Sequence, residues 1–397
     1  MNFKPVLRFA VMSDVHYSES FPNHRRNFKR AMELVYSYAD AEAYNSLDAL
    51  YVVGDFTDRG KREEMQWFAN DCRECIRNNT LLVITMANHE LHYMPDFNVA
   101  LKDFDEIFKM PRDRHEIICG YHFISLSAIR DKGPWSDSFN DEKKAFLKAE
   151  LEKARADTGN KPIFVFQHAG IPETIVGGVG GHTELYAILS DYPQVIDFSG
   201  HSHNSVRDPR EINQKNFTTV GTGSMSSITS SASWFDFHIT GDRSLGHGRA
   251  QMLVVEADSK GTVRLRGLDV TDGGFFEDRF ITDCHDKSAH TYTLQRALTE
   301  KPPYFEKDSK VRLQKEEGKI IITFPAAKSD GERVKEYCIR LTDENGVVMA
   351  QKNIFSDYMH LVQSDTVTTE INWEYPYFPR ALVYASGFWE NTSEPIS

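Results

Sequence analysis

Short apolar runs alternate with segments of helical periodicity over the first 200 residues. The runs cover residues 6–12, 49–53, 80–85, 121–126, 162–166 and 194–199. Each has the length of a buried strand. Apolar residues between the first two runs recur three or four positions apart, as in Phe28, Met32 and Val35, which predicts an amphipathic helix. Strands that alternate with helices predict an α/β domain.

The apolar pattern changes to a period of two from about residue 218, which favours β-structure. Two β segments, 251–256 and 262–266, follow within the first part of the chain. Five short strands are predicted towards the C-terminus: 319–324, 336–341, 347–352, 366–371 and 381–386. The Asn345-Gly346 pair predicts a type I′ hairpin turn. We expect this end of the chain to form a small β-sandwich.

A charged stretch with two adjacent prolines, Pro302 and Pro303, separates these two patterns. A chain of 397 residues also exceeds the size of one typical hydrophobic core. We therefore predict an α/β domain over residues 1–282, a linker over residues 283–310 and a C-terminal β-sandwich over residues 311–397.

Residues that can bind metals follow the predicted strands. They are Asp14, His16, Asp55, Asn88, His168, His201 and His203. Residues two apart in a strand face the same side, so Asp14 and His16 can converge on one point. One ion would be saturated by fewer ligands, whereas two ions that share Asp55 would each have about four protein ligands. Mixed histidine and carboxylate ligands suit manganese, iron or zinc better than magnesium alone.

Each of these residues also has an ordinary structural interpretation. A single histidine is more often a core or loop imidazole than a metal ligand, and only the joint occurrence at strand ends favours a metal site. The Cys72-Cys75 pair lacks a second pair or a nearby histidine, so we interpret it as structural. The segment 224–248 is rich in serine, glycine and aromatic residues, including Trp234, Phe235, Phe237, His238, Arg243 and His247. It could cover a site or act only as a loop.

Composition narrows the range of partners and locations. A formal net charge of −12 disfavours binding to nucleic acid, because neutralising phosphates requires clustered lysine and arginine. The five cysteines are an odd and scattered set, which favours a reducing compartment. Arg8 interrupts the first apolar run, so we expect no signal peptide. No apolar run approaches the ~20 residues that span a bilayer. We expect a soluble, cytoplasmic protein without membrane contact.

The polar blocks at the strand ends resemble those of the calcineurin-like metallophosphoesterase family. The blocks are Asp14-x-His16, Gly54-Asp55-x-x-Asp58-Arg59, Asn88-His89-Glu90, His168 and Gly200-His201-x-His203. They occur in the order of the family and span roughly residues 6 to 270. The resemblance implies a four-layer α/β/β/α sandwich, two divalent metal ions and hydrolysis of phosphate esters or anhydrides.

The resemblance also implies a role for each residue. One ion would be bound by Asp14, His16, Asp55 and His203, and the other by Asp55, Asn88, His168 and His201. A hydroxide that bridges the ions would attack phosphorus in line. His89 would act as general acid or oxyanion donor, Asp58 would hold the ring of His89, and Arg59 would lie near the phosphate.

Two departures from the family pattern refine these expectations. Ala87 stands where the family usually has glycine, and we expect the loop to absorb the extra methyl group. Purple acid phosphatases have a tyrosine ligand where this chain has Asp58, so we expect no tyrosinate-bound ferric ion.

The resulting hypothesis is a phosphodiesterase that acts on a small nucleotide-like substrate. A phosphomonoesterase and, less favoured, a non-catalytic scaffold of the same fold remain alternatives, and a nuclease is disfavoured by the acidity of the chain. The C-terminal strands loosely resemble a fibronectin type III module, which makes that domain a candidate for protein or self-association.

Overall fold

The computed structural model describes residues 3–130, 137–159, 161–178, 183–229 and 248–397. The chain divides into two compact units, and the division falls between Thr293 and Leu294. This position lies inside the segment 283–310 that the sequence predicts as a linker. Residues 230–247 lie outside the described residues. They include the aromatic residues of the segment 224–248 that could cover a site.

The first unit alternates strands and helices over most of its length. Its helices are α1 (Pro22–Ala41), α2 (Arg62–Cys75), α3 (Asn88–His92), α4 (Phe97–Phe108), α5 (Asp141–Thr158) and α6 (Thr183–Leu189). Its first nine strands are β1 (Pro5–Met12), β2 (Ala49–Val53), β3 (Leu81–Thr85), β4 (Arg114–Ile118), β5 (Tyr121–Ser125), β6 (Ile129–Arg130), β7 (Asp137–Ser138), β8 (Ile163–Ala169) and β9 (Val195–Gly200). The remaining strands are β10 (Ile212–Gln214), β11 (Thr218–Gly221), β12 (Gln251–Asp258), β13 (Val263–Asp269), β14 (Gly274–Phe275) and β15 (Arg279–Ile281).

Most of these strands build two large sheets, and among the described residues β6 and β7 pair only with each other. The first has the order β14-β13-β12-β1-β2-β3, with β15 also paired to β13. The second has the order β10-β11-β9-β8-β5-β4. Strands β1, β2 and β3 are parallel, as are β5, β8, β9 and β11. The carboxyl ends of parallel strands lie along one edge of a sheet, so residues that follow them are brought together.

The two sheets pack face to face through aromatic side chains. Tyr51 stacks on Phe166 at 4.0 Å between ring centroids, and Phe9 contacts Phe123 at 5.0 Å. Successive strand residues point to opposite faces, so Leu50 and Val52 on either side of Tyr51 pack instead in the cluster formed with helices α1, α2 and α4.

The second sheet packs in the same way against α5 and α6, through a separate cluster. The arrangement is helix, sheet, sheet, helix. The prediction of a four-layer α/β/β/α fold is therefore confirmed.

The second unit is built mainly from antiparallel β-structure. It contains helix α7 (Gln295–Thr299) and strands β16 (Arg312–Glu316), β17 (Lys319–Pro325), β18 (Glu336–Thr342), β19 (Val348–Phe355), β20 (Thr366–Asn372) and β21 (Arg380–Ser386). They form two three-stranded sheets, β16-β17-β20 and β19-β18-β21. Ile322, Ile339 and Val383 belong to one buried cluster with residues from both sheets, as expected for a small all-β domain.

Two local expectations differ from the structure. Strands β4 and β16 are not predicted, because they lie at sheet edges, where β4 is only partly buried and β16 is mostly exposed. The type I′ turn is also wrong, since only Gly346 of the Asn345-Gly346 pair has a positive φ. The carboxylate of Asp343 accepts hydrogen bonds from the amides of Asn345 and Val347 and shapes the turn instead.

No helix within the described ranges combines the length and the apolar character required to cross a lipid bilayer.

We predict that a fragment of residues 1–293 folds and binds as much metal as the full chain, because every proposed ligand precedes residue 204. Circular dichroism and elemental analysis of the purified fragment test this expectation. A fragment that is unfolded, or that binds less metal per chain than the full-length protein, would show that the first unit depends on the second.

Candidate metal centre

The seven predicted ligands all lie at the carboxyl ends of parallel strands. In the first sheet, Asp14 and His16 follow β1, Asp55 follows β2, and Asn88 begins α3 after β3. In the second sheet, His168 is the penultimate residue of β8, and His201 and His203 follow β9. The sequence places His168 just after its strand, whereas the strand continues through it to Ala169.

Main-chain hydrogen bonds hold the exits of β1 and β2 side by side. The amide of Asp14 donates to the carbonyl of Gly54 at 3.2 Å, and the amide of His16 donates to the carbonyl of Asp55 at 3.0 Å. Asp14, His16 and Asp55 therefore have fixed backbone positions that do not depend on their side chains.

Five of the seven residues have left-handed backbone conformations. Their φ angles are 53° for Asp14, 49° for His16, 50° for Asp55, 67° for His201 and 54° for His203. Residues other than glycine seldom adopt positive φ, and such residues cluster at functional sites. The backbone at these strand exits thus turns sharply, which directs successive side chains into one small space.

Gly54 makes this close approach possible. Its φ is 75°, and a Cβ atom at this position would lie 2.5 Å from the Cβ of Ala87 and 2.6 Å from Nδ1 of His168. Ala87 itself has an ordinary extended conformation with φ −139°. The expectation that the loop absorbs an alanine before Asn88 is confirmed, because the absent side chain of Gly54 leaves room for the methyl group.

The side chains form groups with the spacing of metal sites. Asp14, His16 and His203 offer ligand atoms within 4.8 Å of one another, and so do Asp55, His168 and His201. Each of these groups contains three of the four residues in one of the ligand sets implied by the family resemblance. His16, Asp55 and His89 form a third such group. Asn88 is buried, and its Oδ1 atom has no hydrogen-bond partner.

Hydrogen bonds to main-chain carbonyls set the orientation of the histidine rings. Nδ1 of His168 lies 2.7 Å from the carbonyl oxygen of Val53, and Nδ1 of His203 lies 3.1 Å from that of Ser227. A carbonyl can only accept, so both Nδ1 atoms carry the proton. Nε2 is therefore the ring nitrogen that each histidine can offer to a metal once it is deprotonated.

The Nε2 atoms of these histidines lie close to other electron-rich atoms. Nε2 of His168 lies 3.0 Å from Oδ2 of Asp55, and Nε2 of His203 lies 3.1 Å from Oδ1 of Asp14. Nε2 of His16 and His203 are 3.2 Å apart. Neutral imidazoles and carboxylates at these distances repel one another unless a cation or a proton lies between them. The donor set therefore fits divalent cations.

The ionisation of the cluster agrees with this arrangement for Asp14 and His201, whereas in spite of burial the neighbouring Asp14 raises the pKa of His203 above its usual value. Burial by itself raises the pKa of Asp14, but His203 and His168 outweigh it and hold that pKa below its usual range. Burial and the neighbouring His168 lower the pKa of His201 to about 4, so its imidazole is neutral at pH 7. Ionised carboxylates and neutral imidazoles are the forms that metal binding requires.

Glu90 joins the exits of β2 and β3. One carboxylate oxygen accepts hydrogen bonds from the amides of Asp55 and Ala87, at 3.1 and 2.9 Å. The other oxygen accepts from the amide and the hydroxyl of Thr57, each at 2.8 Å. Glu90 is fully buried, and burial together with the charge of Asp55 raises its pKa to about 8. The four hydrogen-bond donors around Glu90 favour its ionised carboxylate, so they oppose this rise in pKa.

His89, Asp58 and Arg59 lie beside the cluster. Nε2 of His89 is 3.9 Å from Oδ2 of Asp55, and the rings of His89 and His16 are 4.3 Å apart. Nδ1 of His89 lies 2.8 Å from the main-chain oxygen of Asp58. The contact with His89 is thus made by the Asp58 carbonyl, whereas the Asp58 carboxylate is 3.4 Å from Nε of Arg59. Asp58 therefore contacts the ring of His89 through its main chain and not through its side chain.

Several residues that support the ligands are not apparent from the sequence. Ser13 donates from its hydroxyl to Oδ2 of Asp14, which also accepts from the amide of His201 at 3.0 Å. These two bonds leave Oδ1 of Asp14 directed at the cluster. Glu90 belongs to the Asn88-His89-Glu90 block, but its role depends on contacts with a distant loop. Serine is too common before a carboxylate to serve as a signal.

Comparison with known proteins agrees with this geometry. The family model for calcineurin-like phosphoesterases matches residues 7–205, which is half of the chain. The chain belongs to the calcineurin-like phosphoesterase family. A search of curated proteins found no match.

Solved structures add support for the fold alone. A purple acid phosphatase, PPD1 from yellow lupin (Lupinus luteus) seeds, is 13% identical with a TM-score of 0.50. The match covers 71% of this chain and 54% of the phosphatase chain, so this chain spans about half the length of that protein. A β-glucuronidase from Parabacteroides merdae is 10% identical over 96% of this chain and 60% of its own, but its TM-score of 0.25 is too low to indicate a shared fold.

We predict that Asp55→Asn reduces bound metal to fewer than two ions per chain and abolishes turnover, because a neutral amide cannot bridge two cations as a carboxylate does. Elemental analysis of the purified variant measures the metal. Asp308→Asn, which removes an exposed carboxylate of the second unit, is the control. Two retained ions together with most of the activity would exclude Asp55 as the bridging ligand.

We predict that Glu90→Gln lowers the free energy of unfolding of the metal-free protein by about 1–3 kcal/mol, since the new amide group faces amide donors and leaves them unpaired. Denaturant titration measures the change, and metal titration should show weaker binding. Glu344→Gln, at an exposed turn, provides the matched control. Equal stability of Glu90→Gln and the parent protein would argue against the role of Glu90 in holding the exits of β2 and β3 together.

Proposed function

We propose that the chain hydrolyses phosphodiesters of small, nucleotide-like substrates at the strand exits of its first unit. The main support is the position of His89, whose Nδ1 is held by the carbonyl of Asp58 while Nε2 lies 3.9 Å from a carboxylate oxygen of Asp55. The imidazole can therefore present an Nε2 proton at the edge of a charged, buried cluster. This is the arrangement expected of a general acid next to a phosphate site.

In this proposal, Asp14, His16, Asp55 and His203 hold one divalent cation, and Asp55, Asn88, His168 and His201 hold the other. Manganese, iron and zinc are the candidates. When bound, such cations supply Lewis-acid activation of water and of the phosphate oxygens. Asp55 is assigned to both sites because it lies near ligands from each set, and its Oδ1 is held by the amide of His89 at 2.9 Å.

His89 is assigned the role of proton donor to the leaving oxygen. Its Nδ1–H is used by the carbonyl of Asp58, so only Nε2 can exchange a proton with substrate. The rings of His16 and Tyr93 contact His89 at 4.3 and 5.0 Å between centroids and restrict its movement. A positioned acid of this kind contributes roughly 10²–10⁴-fold to the rate.

Arg59 is assigned to the phosphate. Its side chain is 56% exposed, and its guanidinium lies over the ring of Tyr93 at 4.9 Å. The stacked position keeps the cation beside His89 without burying it. A guanidinium in this place can donate hydrogen bonds to the oxygens of a bound phosphate.

The charge of the centre favours a diester over a monoester. The largest electrostatic influences on Asp14, His16 and Asp55 come from histidine and carboxylate groups, and within the described residues no lysine or arginine is among them. A phosphodiester carries one negative charge, whereas a monoester near neutral pH carries almost two. The sequence Gly200-His201-Ser202-His203 followed by Asn204 also resembles bacterial phosphodiesterases more closely than serine/threonine phosphatases.

The second unit has no part in this proposal. Its two three-stranded sheets support a fibronectin type III-like module. Its use in protein or self-association stays a prediction.

The proposed activity is tested by comparing two chromogenic esters. Protein reconstituted with manganese, iron or zinc should hydrolyse bis-p-nitrophenyl phosphate with a higher kcat/KM than p-nitrophenyl phosphate. The reverse order would favour a phosphomonoesterase. Absence of turnover with both esters, despite bound metal, would favour the scaffold alternative.

We predict that His89→Ala keeps two metal ions and loses about 10²–10⁴-fold in kcat for diesters with poor leaving groups such as phenolate. The loss should shrink for p-nitrophenolate, which needs little protonation. His285→Ala, which changes an exposed histidine far along the chain, controls for the substitution itself. Equal losses for both leaving groups would contradict the acid role, and loss of metal would identify His89 as a ligand.

A further inference from the structure

An exposed aromatic ring lies close to the metal centre. Phe21, in the loop between β1 and α1, is 46% exposed. Its ring stacks on that of His24, with 5.1 Å between centroids and an interplanar angle of 22°. Nδ1 of His24 in turn donates to the main-chain oxygen of His16 at 2.8 Å. The ring of Phe21 is therefore two contacts away from a proposed metal ligand.

Local structure does not account for a phenylalanine at this position. Phe21 is the N-cap residue of α1, where serine, threonine, aspartate and asparagine are preferred because their side chains accept a hydrogen bond from the helix. Phe21 makes no such bond. Nearly half of its surface is also exposed to solvent, so core packing explains only part of its side chain. A residue that breaks a local rule in this way is a candidate for a functional role.

The loop holds the ring in a defined position. The amide of Phe21 donates to the carbonyl of Ser18 at 3.4 Å, and the carbonyl of Phe21 accepts from the amide of His24 at 3.0 Å. The ring of His24 is held by its bond to the main-chain oxygen of His16 at 2.8 Å, so it forms a fixed, flat support. Phe21 thus offers a pre-organised aromatic face, which lowers the entropic cost of stacking a ligand on it.

The position of this face relative to His89 indicates which part of a substrate it meets. His24 bonds to the main chain of His16, whereas His89 packs against the ring of His16. His24, which carries the ring of Phe21, and His89 therefore contact different parts of His16, its main chain and its ring. With His89 assigned to the leaving oxygen, the groups left for Phe21 to meet are the others on phosphorus. In a diester one of these is the ester that is retained, and a monoester has no such group.

We propose that Phe21 determines specificity by stacking against an aryl or nucleobase group of the retained ester. The inference rests on the proposed phosphodiesterase function and deepens it, since it selects aromatic diesters over alkyl diesters and monoesters. Stacking between aromatic rings favours offset or edge-on arrangements and adds to the gain from burial. The expected contribution is about three- to ten-fold in affinity.

Binding of phosphonates tests this inference without turnover. Phenylphosphonate and methylphosphonate share a head group, and their P–C bonds are not hydrolysed as esters are. Calorimetry on the metal-loaded protein should show about three- to ten-fold tighter binding of phenylphosphonate. Phe21→Leu should remove this preference, Phe21→Trp should keep it, and Phe378→Leu, at a 56% exposed phenylalanine of the second unit, should not alter it. Equal affinities in the parent protein, or an unchanged preference in Phe21→Leu, would overturn the inference.

Kinetics give the second measurement. Bis-p-nitrophenyl phosphate and methyl p-nitrophenyl phosphate have the same leaving group and differ in the retained ester. Phe21→Leu should raise KM for the first about three- to ten-fold, leave kcat unchanged, and leave both constants unchanged for the second. A parallel rise in KM for both substrates would show a general structural effect and contradict the inference. Failure of the parent protein to hydrolyse any diester would instead refute the proposed function, which the phosphonate affinities do not depend on.

Discussion

The metal centre depends on one buried carboxylate that binds no metal in the proposed scheme. Glu90 accepts hydrogen bonds from the amides of Asp55, Thr57 and Ala87, which belong to the exits of two neighbouring strands. Two further contacts join the loop that carries Asp55 to the helix that carries His89: the amide of His89 donates to Oδ1 of Asp55, and Nδ1 of His89 bonds to the main-chain oxygen of Asp58. A carboxylate with only donors around it holds both loops at a fixed separation, and the distance between the ligand groups follows from that separation.

The order of the strands and the positions of the ligands follow from the sequence for a physical reason. Apolar runs that end at glycine or a carboxylate indicate strands that stop at an edge of a sheet, and parallel strands bring such ends together. Asp55 after residues 49–53 is the clearest case. The N-cap of α5 is another local feature, because the side chain of Asn140 accepts a hydrogen bond from the amide of Lys143. These features depend on residues that are close together in the chain.

The features that the sequence does not reveal depend on residues that are far apart in the chain. The contact between His89 and Asp58 uses a main-chain oxygen, and any residue at position 58 could supply that oxygen. The bonds of Glu90 to a loop 33 to 35 residues earlier cannot be deduced from local spacing. Strand β4 pairs at a sheet edge, where its polar residues are tolerated and give no periodic signal. The specificity that we propose for Phe21 also appears only when its exposure and its stacking on His24 are known.

The left-handed backbone of Asp14, His16, Asp55, His201 and His203 has a consequence for how this protein can change in evolution. Each such residue costs about 1–3 kcal/mol relative to a relaxed backbone, a cost that glycine largely avoids. Without selection for metal binding, replacement of these residues by glycine would relieve strain, so drift towards glycine would be tolerated at these positions first. A relative that has lost its activity should therefore carry glycine or asparagine at these strand exits while its core remains intact. The same five positions would distinguish enzymes from inactive scaffolds among proteins of this fold.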